Sequence, residues 1–413
     1  MGETAPNASH HFTEMAIKGD DLARNLLAQP LVGIRQTNFE DGNEISSETD
    51  EGHTGVSNLD MGSYRTNAES KPTWEDGIRY GQGLEDYMYL ILCNDTIEAY
   101  EDVDGIFKHH FELAPDNTKD LPVATIYHGF QATPTDGRVF NNAMLNEMEV
   151  TLSSTDKPSV KPTFISDYNI VNTINPSRHL RDNHLKYGRT VLAPYTQVFI
   201  GAVGATPEEM LANPIDCFIE ASWNLNHNAE SQACHDDAFG ENTKTMGTRE
   251  LTGSIQMPWV ARTKYFETEY ECYEKYGHIV SEEITQKQVW YRCYGGNIHR
   301  FSSNNTLGTG ETLIGSTTVN DVTTYEIATG IPYSCLWKFP VVEVTNVTST
   351  KSGSDAKDLT FEWKNIEQPT QSYMTCDIVS DLSALHIDTV GVARSTVYPN
   401  VSQYPEFAPF ATQ

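Results

Sequence analysis

The sequence predicts a mainly β protein with a few flanking helices, of the β-sandwich or β-barrel kind. Three segments, 145–153, 215–225 and 358–366, alternate apolar and polar side chains with the period of two that a half-buried strand shows. Thr, Val, Ile, Tyr, Phe and Asn also recur between Gly and Pro, which is typical of strands and turns. The predicted core residues of these three segments are Met148, Val150, Leu152, Ile215, Ile219, Trp223, Phe361 and Trp363.

Shorter signals predict the remaining elements. An amphipathic stretch at 20–27 begins with two aspartates, which suit a helix N-terminus. Apolar residues at 84–91 have the spacing of one helix face and predict a helix. The sequence Thr-Pro-Glu-Glu at 206–209 predicts the capped start of a short helix. An aromatic stripe at 266–273 predicts a third helix, which ends at Gly277. Further strands are expected at 121–128, 250–257, 289–294 and 333–345.

The chain of 413 residues is longer than a usual single domain. Both halves contain an apolar-striped helix, a strand with one open face and long polar loops, which indicates a weak, diverged duplication. We therefore predict an N-terminal arm at 1–37, a first lobe at 38–194, a second lobe at 195–369, and a C-terminal strand with an extended arm at 370–413. One oversized β domain is the alternative. Within the first lobe, 38–59 is rich in Glu, Asp, Ser and Gly and is expected to be a long, exposed, acidic loop.

The formal net charge is −29, from 57 acidic and 28 basic side chains. Such a chain has no basic field to neutralise phosphates, so ordinary nucleic-acid binding is disfavoured. Acidity that only keeps the chain in solution is the alternative explanation. Four acidic side chains alternate with the predicted core residues of their strands and are expected to line a shared surface or interface: Glu147, Glu149, Asp216 and Glu220.

No enzyme motif or cofactor fingerprint is found in the sequence. It has no G-x-S-x-G, no P-loop and no G-x-G-x-x-G, so we expect no catalytic residue and no cofactor. The seven cysteines are scattered and contain no C-x-x-C pair, so they are expected to be reduced core residues and no metal site is predicted. The one local cluster with ligand-like chemistry is Cys234 to Asp237. The adjacent His109 and His110 should point in opposite directions. No apolar run approaches the ~20 residues that cross a bilayer and no signal peptide begins the chain, so we expect it to stay in the cytosol.

The order of several segments resembles one known family. The segments are 84–92 (LEDYMYLIL), 109–129, 140–153, 216–230 and 246–257. In this order they are similar to the tail tube, or major tail, proteins of long non-contractile-tailed bacteriophages, over about residues 30–369.

This resemblance implies a structural virion protein without enzymatic activity. Members of the family form a β-sandwich flanked by a helix and assemble into stacked rings, whose sheets join into one hollow lumen. Two tube domains in each chain imply homotrimeric rings with pseudo-six-fold symmetry, and homohexameric rings are the alternative. The implied partners are further copies of the chain, the tape-measure protein and the tail terminator, while genome DNA passes an acidic lumen without specific binding. The implied location is the virion tail, after synthesis in the host cytoplasm.

A second hypothesis comes from a different functional class. A β-rich, acidic chain with long loops also fits a host-recognition fibre or a capsid decoration protein that binds surface glycans. Self-assembly into uniform hollow cylinders distinguishes the tube from this alternative.

Overall fold

The computed structural model describes residues 11–34, 36–49, 63–101, 103–113, 121–130, 137–172, 190–232, 243–259, 265–278, 286–319, 322–350, 358–366 and 372–393. Strands dominate this part of the chain, and the prediction of a mainly β protein with flanking helices is confirmed. Most strands join one large, mainly antiparallel sheet of 21 strands.

The elements fall into two consecutive units. The first unit contains β1 His11–Lys18, β2 Leu26–Leu27, β3 Val32–Ile34, β4 Thr37–Glu40, β5 Asn43–Thr49, β6 Ser63–Ser70, β7 Thr73–Gly77, α1 Leu84–Leu92, β8 Asp95–Ala99, β9 Phe107–Glu112, β10 Val123–Phe130, β11 Gly137–Ser153, β12 Ser159–Asp167 and β13 Ile170–Asn172.

A 3₁₀ turn at Ala193–Tyr195 precedes the second unit. That unit contains β14 Thr196–Ala202, α2 Pro207–Leu211, β15 Glu220–Asn226, β16 Glu230–Gln232, β17 Thr243–Thr245, β18 Glu250–Pro258, α3 Glu267–Tyr276, β19 Lys287–Ser302, β20 Thr312–Val319, β21 Val322–Thr350, β22 Asp358–Asn365 and β23 Thr375–Ser380. Two short strands follow, β24 Ile387–Asp388 and β25 Val392–Ala393.

The two units share one topology. The first has the antiparallel pairs β1–β10, β10–β11, β11–β12, β11–β13, β7–β12 and β4–β7. The second has, in the same order along the chain, β14–β19, β19–β21, β21–β22, β21–β23, β18–β22 and β15–β18. A β-bulge falls at the matching place, between Leu145 and Glu147 in β11 and between Val344 and Asn346 in β21. A helix follows β7 in one unit and β18 in the other. The two units therefore have the same order of strand pairs and the same position of one helix.

The predicted helices at 84–91, 206–212 and 266–277 are confirmed. Thr206 accepts a hydrogen bond from the backbone N–H of Glu209, and the Glu209 side chain accepts one from the N–H of Thr206, which completes a capping box. The last helix ends at Gly277, whose φ of 74° is the left-handed conformation that glycine adopts without strain.

Four predictions about local structure are wrong. Residues 11–18 are not part of an arm, because β1 pairs along its length with β10 inside the sheet. The stretch 20–27 forms turns and β2 rather than a helix. Of the supposed acidic loop 38–59, residues 38–49 form most of β4, all of β5 and the link between them, and 50–59 lie outside the described residues. The strand expected from 215 begins only at Glu220, because Phe218 is buried while Cys217 is exposed, which breaks the alternation.

One hydrophobic core runs through both units. Its fully buried members include Phe164 of the first unit and Trp337 of the second, and it contains buried residues from Met15 to Val379. Of the predicted core residues, Ile219 is half-buried because it precedes β15. The others are buried: Met148, Val150, Leu152, Ile215, Trp223, Phe361 and Trp363. The units therefore fold against each other and not around separate cores.

Candidate assembly surface

Eight strands form one continuous antiparallel layer in the order β4–β7–β12–β11–β15–β18–β22–β21. The first four belong to the first unit and the last four to the second. Both sets have the same internal order, and the pair β11–β15 joins them. We call this set of strands the layer.

One face of the layer is polar from edge to edge. Side chains on its other face, such as Val150 and Trp223, are completely buried, because they pack into the core. On the open face the side chains are half-buried or exposed, and many are short hydroxyl or amide groups. Cross-strand hydrogen bonds link some of them, as between the hydroxyls of Ser222 and Ser254 at 2.9 Å. Carboxylates outnumber lysines there: Glu40, Glu75, Glu147, Glu149, Glu220, Glu250, Glu343, Asp358 and Glu362 share the face with Lys161 and Lys364.

Three of the four acids singled out from the sequence lie on this open face. Glu147 and Glu149 project from β11, and Glu220 begins β15. Asn224 donates a hydrogen bond to Oε1 of Glu147 at 2.6 Å across the β11–β15 pair. Asp216 is exposed, but it lies in the irregular segment before β15, so the structure does not group it with the other three.

The β11–β15 pair, which we call the internal joint, has a regular ladder. Seven consecutive residues pair, from Glu147 opposite Asn226 to Ser153 opposite Glu220. On the core side Val150 lies opposite Trp223, and both are fully buried. Apolar burial on one face and backbone hydrogen bonds in the plane together hold the first unit to the second.

The hairpin β16–β17 reinforces the internal joint by reaching back onto the first unit. His227 donates its backbone N–H to the carbonyl of Asn146 at 2.8 Å, and its Nε2–H donates to the carbonyl of Ile91 at the end of α1 at 3.0 Å. Lys244 forms a buried ion pair with Asp167 of β12 at 2.5 Å. Asn142 also donates to this buried carboxylate, at 2.7 Å.

Burial controls protonation at this contact. It lowers the pKa of His227 to about 4, with a further contribution from the positive charge of Arg249, and only the bond to Ile91 opposes the shift. A neutral imidazole is therefore the form that fits between the hairpin and α1.

The two ends of the layer have backbone edges that pair with no other described strand. Residues 343–350 of β21 pair with β22 on one side, and β19 pairs with β21 only as far as Val342. At the other end β4 pairs only with β7. By topology and by the position of the bulge, 343–350 of β21 correspond to the part of β11 in the internal joint, and β4 corresponds to β15. The two edges of the layer therefore match the two strands of the internal joint.

Helix exposure follows the same pattern. Ile91 and Leu92 at the end of α1 are fully buried, next to the hairpin from the second unit. In α3, which occupies the matching position, Tyr276 directly before the C-cap is 42% exposed, and Trp259 nearby is 38% exposed. The surface that covers α1 inside the chain has no counterpart over α3 among the described residues.

Histidines and cysteines of the described ranges form no reactive site. His109 is buried and bonded to Asp95 at 3.0 Å and to the carbonyl of Leu382, whereas His110 points the other way, to Asp377. Burial opposes protonation of His109, but these bonds outweigh it and raise its pKa. No cluster of His, Cys, Asp or Glu among these residues could hold a metal ion, and Cys234 to Asp237 lies outside them.

The cysteines only partly follow the prediction of buried thiols. Cys272, Cys293, Cys335 and Cys376 are buried thiols, but Cys217 is exposed and Cys93 is half-buried. Burial raises the pKa of Cys293 and Cys335 well above the ordinary range, so these thiols are not activated as nucleophiles.

The sequence matches no protein-family model and no curated protein. Within the described ranges, no helix combines the length and the apolar character that a membrane span needs.

The alternation in the sequence predicted the acids on the open face, but it did not predict the free edge at 343–350, because an edge is defined only by which strands lie beside it.

Proposed function

We propose that this chain is the structural subunit of a hollow tube, and specifically a tail tube protein of a long-tailed bacteriophage. The observation that carries the proposal is the layer: two equivalent four-strand halves, joined internally by β11–β15, end in two free edges of the same types. Pairing of β21 in one chain with β4 in the next repeats the internal joint between chains. Because the edges differ, the contact is heterologous and closes into a ring when the rotation per chain allows it.

Three chains supply six equivalent units and twenty-four strands to such a ring. With strands about 4.8 Å apart and tilted by about 40°, a barrel of that size has a backbone diameter of about 50 Å. This leaves a lumen wide enough for a DNA duplex after side chains are added. The open face lines that lumen, because the opposite face is already filled by the core.

The chemistry of the open face suits passage of DNA. Its carboxylates repel phosphates, so no counterion release favours binding. Its hydroxyl and amide groups are neutral and make hydrogen bonds across the strands, as between Thr73 and Thr163 at 3.0 Å. The genome therefore slides past a surface to which it does not adhere.

The ring contact can be tested by placing a charge on the free edge. Ser349 is exposed in the single chain, but its counterpart in the internal joint is Val150, which is fully buried. The substitution Ser349→Lys leaves the chain folded and buries an unpaired ammonium group if the edge pairs, which costs several kcal/mol.

Native mass spectrometry and end-on electron microscopy provide the measurement. The wild-type chain should give rings of three chains of 46.2 kDa each, and Ser349→Lys should remain monomeric. Ser383→Lys, at an exposed position outside both edge strands, is the matched control and should assemble like wild type. Six full-length chains per ring would refute the three-chain arrangement, and normal rings from Ser349→Lys would refute pairing through this edge.

A further inference from the structure

A buried polar cluster connects three strands inside the first unit. Lys18, at the end of β1, donates through Nζ to Oδ1 of Asn142 in β11, at 2.6 Å. The Nδ2 group of Asn142 donates to Oδ2 of Asp167, at the end of β12, at 2.7 Å. The three residues are 5%, 7% and 0% exposed in that order. An amine, a primary amide and a carboxylate therefore lie in one row away from bulk water, and we call them the amide cluster.

The neighbours of Asn142 fix the direction of its amide group. A lysine amine that is protonated can only donate, and the Asp167 carboxylate, which is ion-paired with Lys244, only accepts. Oδ1 therefore faces Nζ, and Nδ2 faces the carboxylate. Since a C=O bond is about 1.23 Å long, Nζ lies less than about 4 Å from the amide carbon Cγ. This separation is close to the roughly 3–3.5 Å at which two groups are placed to react.

The backbone holds both reacting groups in place. Nζ of Lys18 also donates to the carbonyl oxygens of Arg24, at 3.1 Å, and Leu26, at 2.9 Å. Strand β10 lies between β1 and β11, so the lysine side chain reaches across one strand to the amide. Asn142 has a φ of 47°, in the left-handed region, beside the register shift in the β10–β11 pair. A residue other than glycine keeps this conformation only where the surrounding structure imposes it.

We propose that Lys18 and Asn142 form an intramolecular isopeptide bond, with Asp167 as the catalytic carboxylate that moves the protons. A bond forms between Nζ and Cγ, and the bond between Cγ and Nδ2 breaks. The ammonium group of Lys18 loses two protons, which pass by way of the carboxylate to Nδ2. The amide nitrogen leaves as an ammonium ion, Asp167 returns to its starting form, and no oxidant or other reactant is consumed.

Burial favours this reaction in one direction. A neutral secondary amide takes the place of a charged ammonium group, whose burial is costly. Exclusion of water protects the product from hydrolysis, and the ammonium ion that leaves is diluted into solvent. The bond closes a loop over 124 positions of the sequence and ties β1 to β11 in the unfolded chain as well as in the folded one. The inference is independent of the proposed tube function.

A second amine lies against the same carboxylate. Lys244 of the hairpin β16–β17 forms the ion pair with Asp167 at 2.5 Å. A direct amide between these two residues would release water and not ammonia, and Asp167 would have to act as reactant and proton carrier at once. In the amide cluster these two tasks fall on different residues, Asn142 and Asp167. The reaction between Lys18 and Asn142 is therefore the one that the arrangement favours.

Mass spectrometry of the purified full-length chain tests the proposal. The folded wild-type chain should weigh less than its sequence by one ammonia molecule, and a tryptic digest should contain a branched peptide that joins the segments of Lys18 and Asn142. Lys18→Arg keeps the charge but has no amine to react, so it should have the full mass. Asp167→Asn keeps both reacting groups and should slow bond formation by about 10²–10⁴-fold. Lys161→Arg, at an exposed lysine of β12, is the control and should react like wild type.

Thermal unfolding of each variant shows whether its fold is retained, and Lys18→Arg keeps the test decisive if Asp167→Asn does not fold. Full mass in the folded wild-type chain would overturn the proposal. Loss of one water molecule would overturn it in favour of an amide between Lys244 and Asp167. Loss of ammonia that persists in Lys18→Arg would mean that an asparagine has cyclised on its own backbone, which would also overturn it. A wild-type rate in folded Asp167→Asn would remove the catalytic role of Asp167. Ring formation enters none of these results, so a failure of the tube function would be seen separately.

Discussion

Truncation of Trp223 tests how tightly the core is packed at the internal joint. The indole is fully buried, with ring centroids 5.9 Å from both Trp337 and Phe339. Trp223→Ala removes these contacts and leaves a cavity, which costs about 3–5 kcal/mol in a well-packed core. Because the core is continuous through both units, we expect one earlier unfolding transition of the whole chain and not the separate loss of a second lobe.

Trp223→Phe is the matched control, and its expected cost is much smaller. The buried indole Nε1 of Trp223 has no hydrogen-bond acceptor among the described residues. A buried donor without a partner costs about 1–3 kcal/mol, so its removal offsets part of the lost area. Phenylalanine keeps an aromatic ring beside Trp337 and Phe339, and we expect a net cost below about 1.5 kcal/mol.

Urea unfolding followed by far-UV circular dichroism measures both variants, at a protein concentration where wild type is monomeric. The midpoint should fall strongly for Trp223→Ala and slightly for Trp223→Phe, without a change in slope. An unchanged midpoint for the alanine variant would show that Trp223 is not in a packed core. Equal losses for the two variants would show that the aromatic ring kept by phenylalanine does not stabilise the core.

The remaining predictions concern a glycine, a histidine and the charge. Gly253→Ala should destabilise the chain by about 1–3 kcal/mol, as measured by urea unfolding, because the new Cβ would clash with the Trp363 ring and with the carbonyl oxygen of Ser222. A variant as stable as wild type would contradict this crowding. In the folded chain the pKa of His227 is about 4, below the ordinary histidine value of 6.5, so the unfolded chain binds the proton first. Stability therefore falls as pH decreases from 6.5 to 4, by about 3 kcal/mol in total. His227→Gln should lose stability less steeply in that window than wild type, whereas the exposed control His278→Gln should follow wild type. Tube assembly, measured by sedimentation, should improve as the salt concentration rises, because repulsion between acidic copies is screened within about 8 Å at physiological ionic strength. Weaker assembly at higher salt concentration would show that repulsion does not limit assembly.

Local signals in the sequence were sufficient for the short helices and for the half-buried strands. The cap at Thr206 and the left-handed Gly277 are set by contacts within one turn of a helix, so their residues reveal them. The alternation in β15 and β22 is visible because one face of each strand is buried and the other is open. The same alternation predicts that Glu147, Glu149 and Glu220 lie on the open faces of their strands.

Strand β1 shows why other elements could not be predicted. Its buried polar residues Thr13 and Glu14 make it look like part of an exposed arm. In the structure the Thr13 hydroxyl is bonded to His128 of β10 at 2.9 Å, so the polar group is satisfied by a residue far along the chain. Burial of a polar side chain depends on that distant partner, and no local pattern contains it.

The sequence by itself determined that the chain is mainly β and acidic, and that its strands have one polar face. These properties depend on residue composition and on the period of two along single strands. Only the tertiary structure decided that β11 pairs with β15, that one core joins the two units, and that 343–350 and β4 are left as matching edges. The physical reason is that strand pairing joins residues far apart in sequence through backbone hydrogen bonds, which are the same for every residue type and leave no mark in the pattern of side chains.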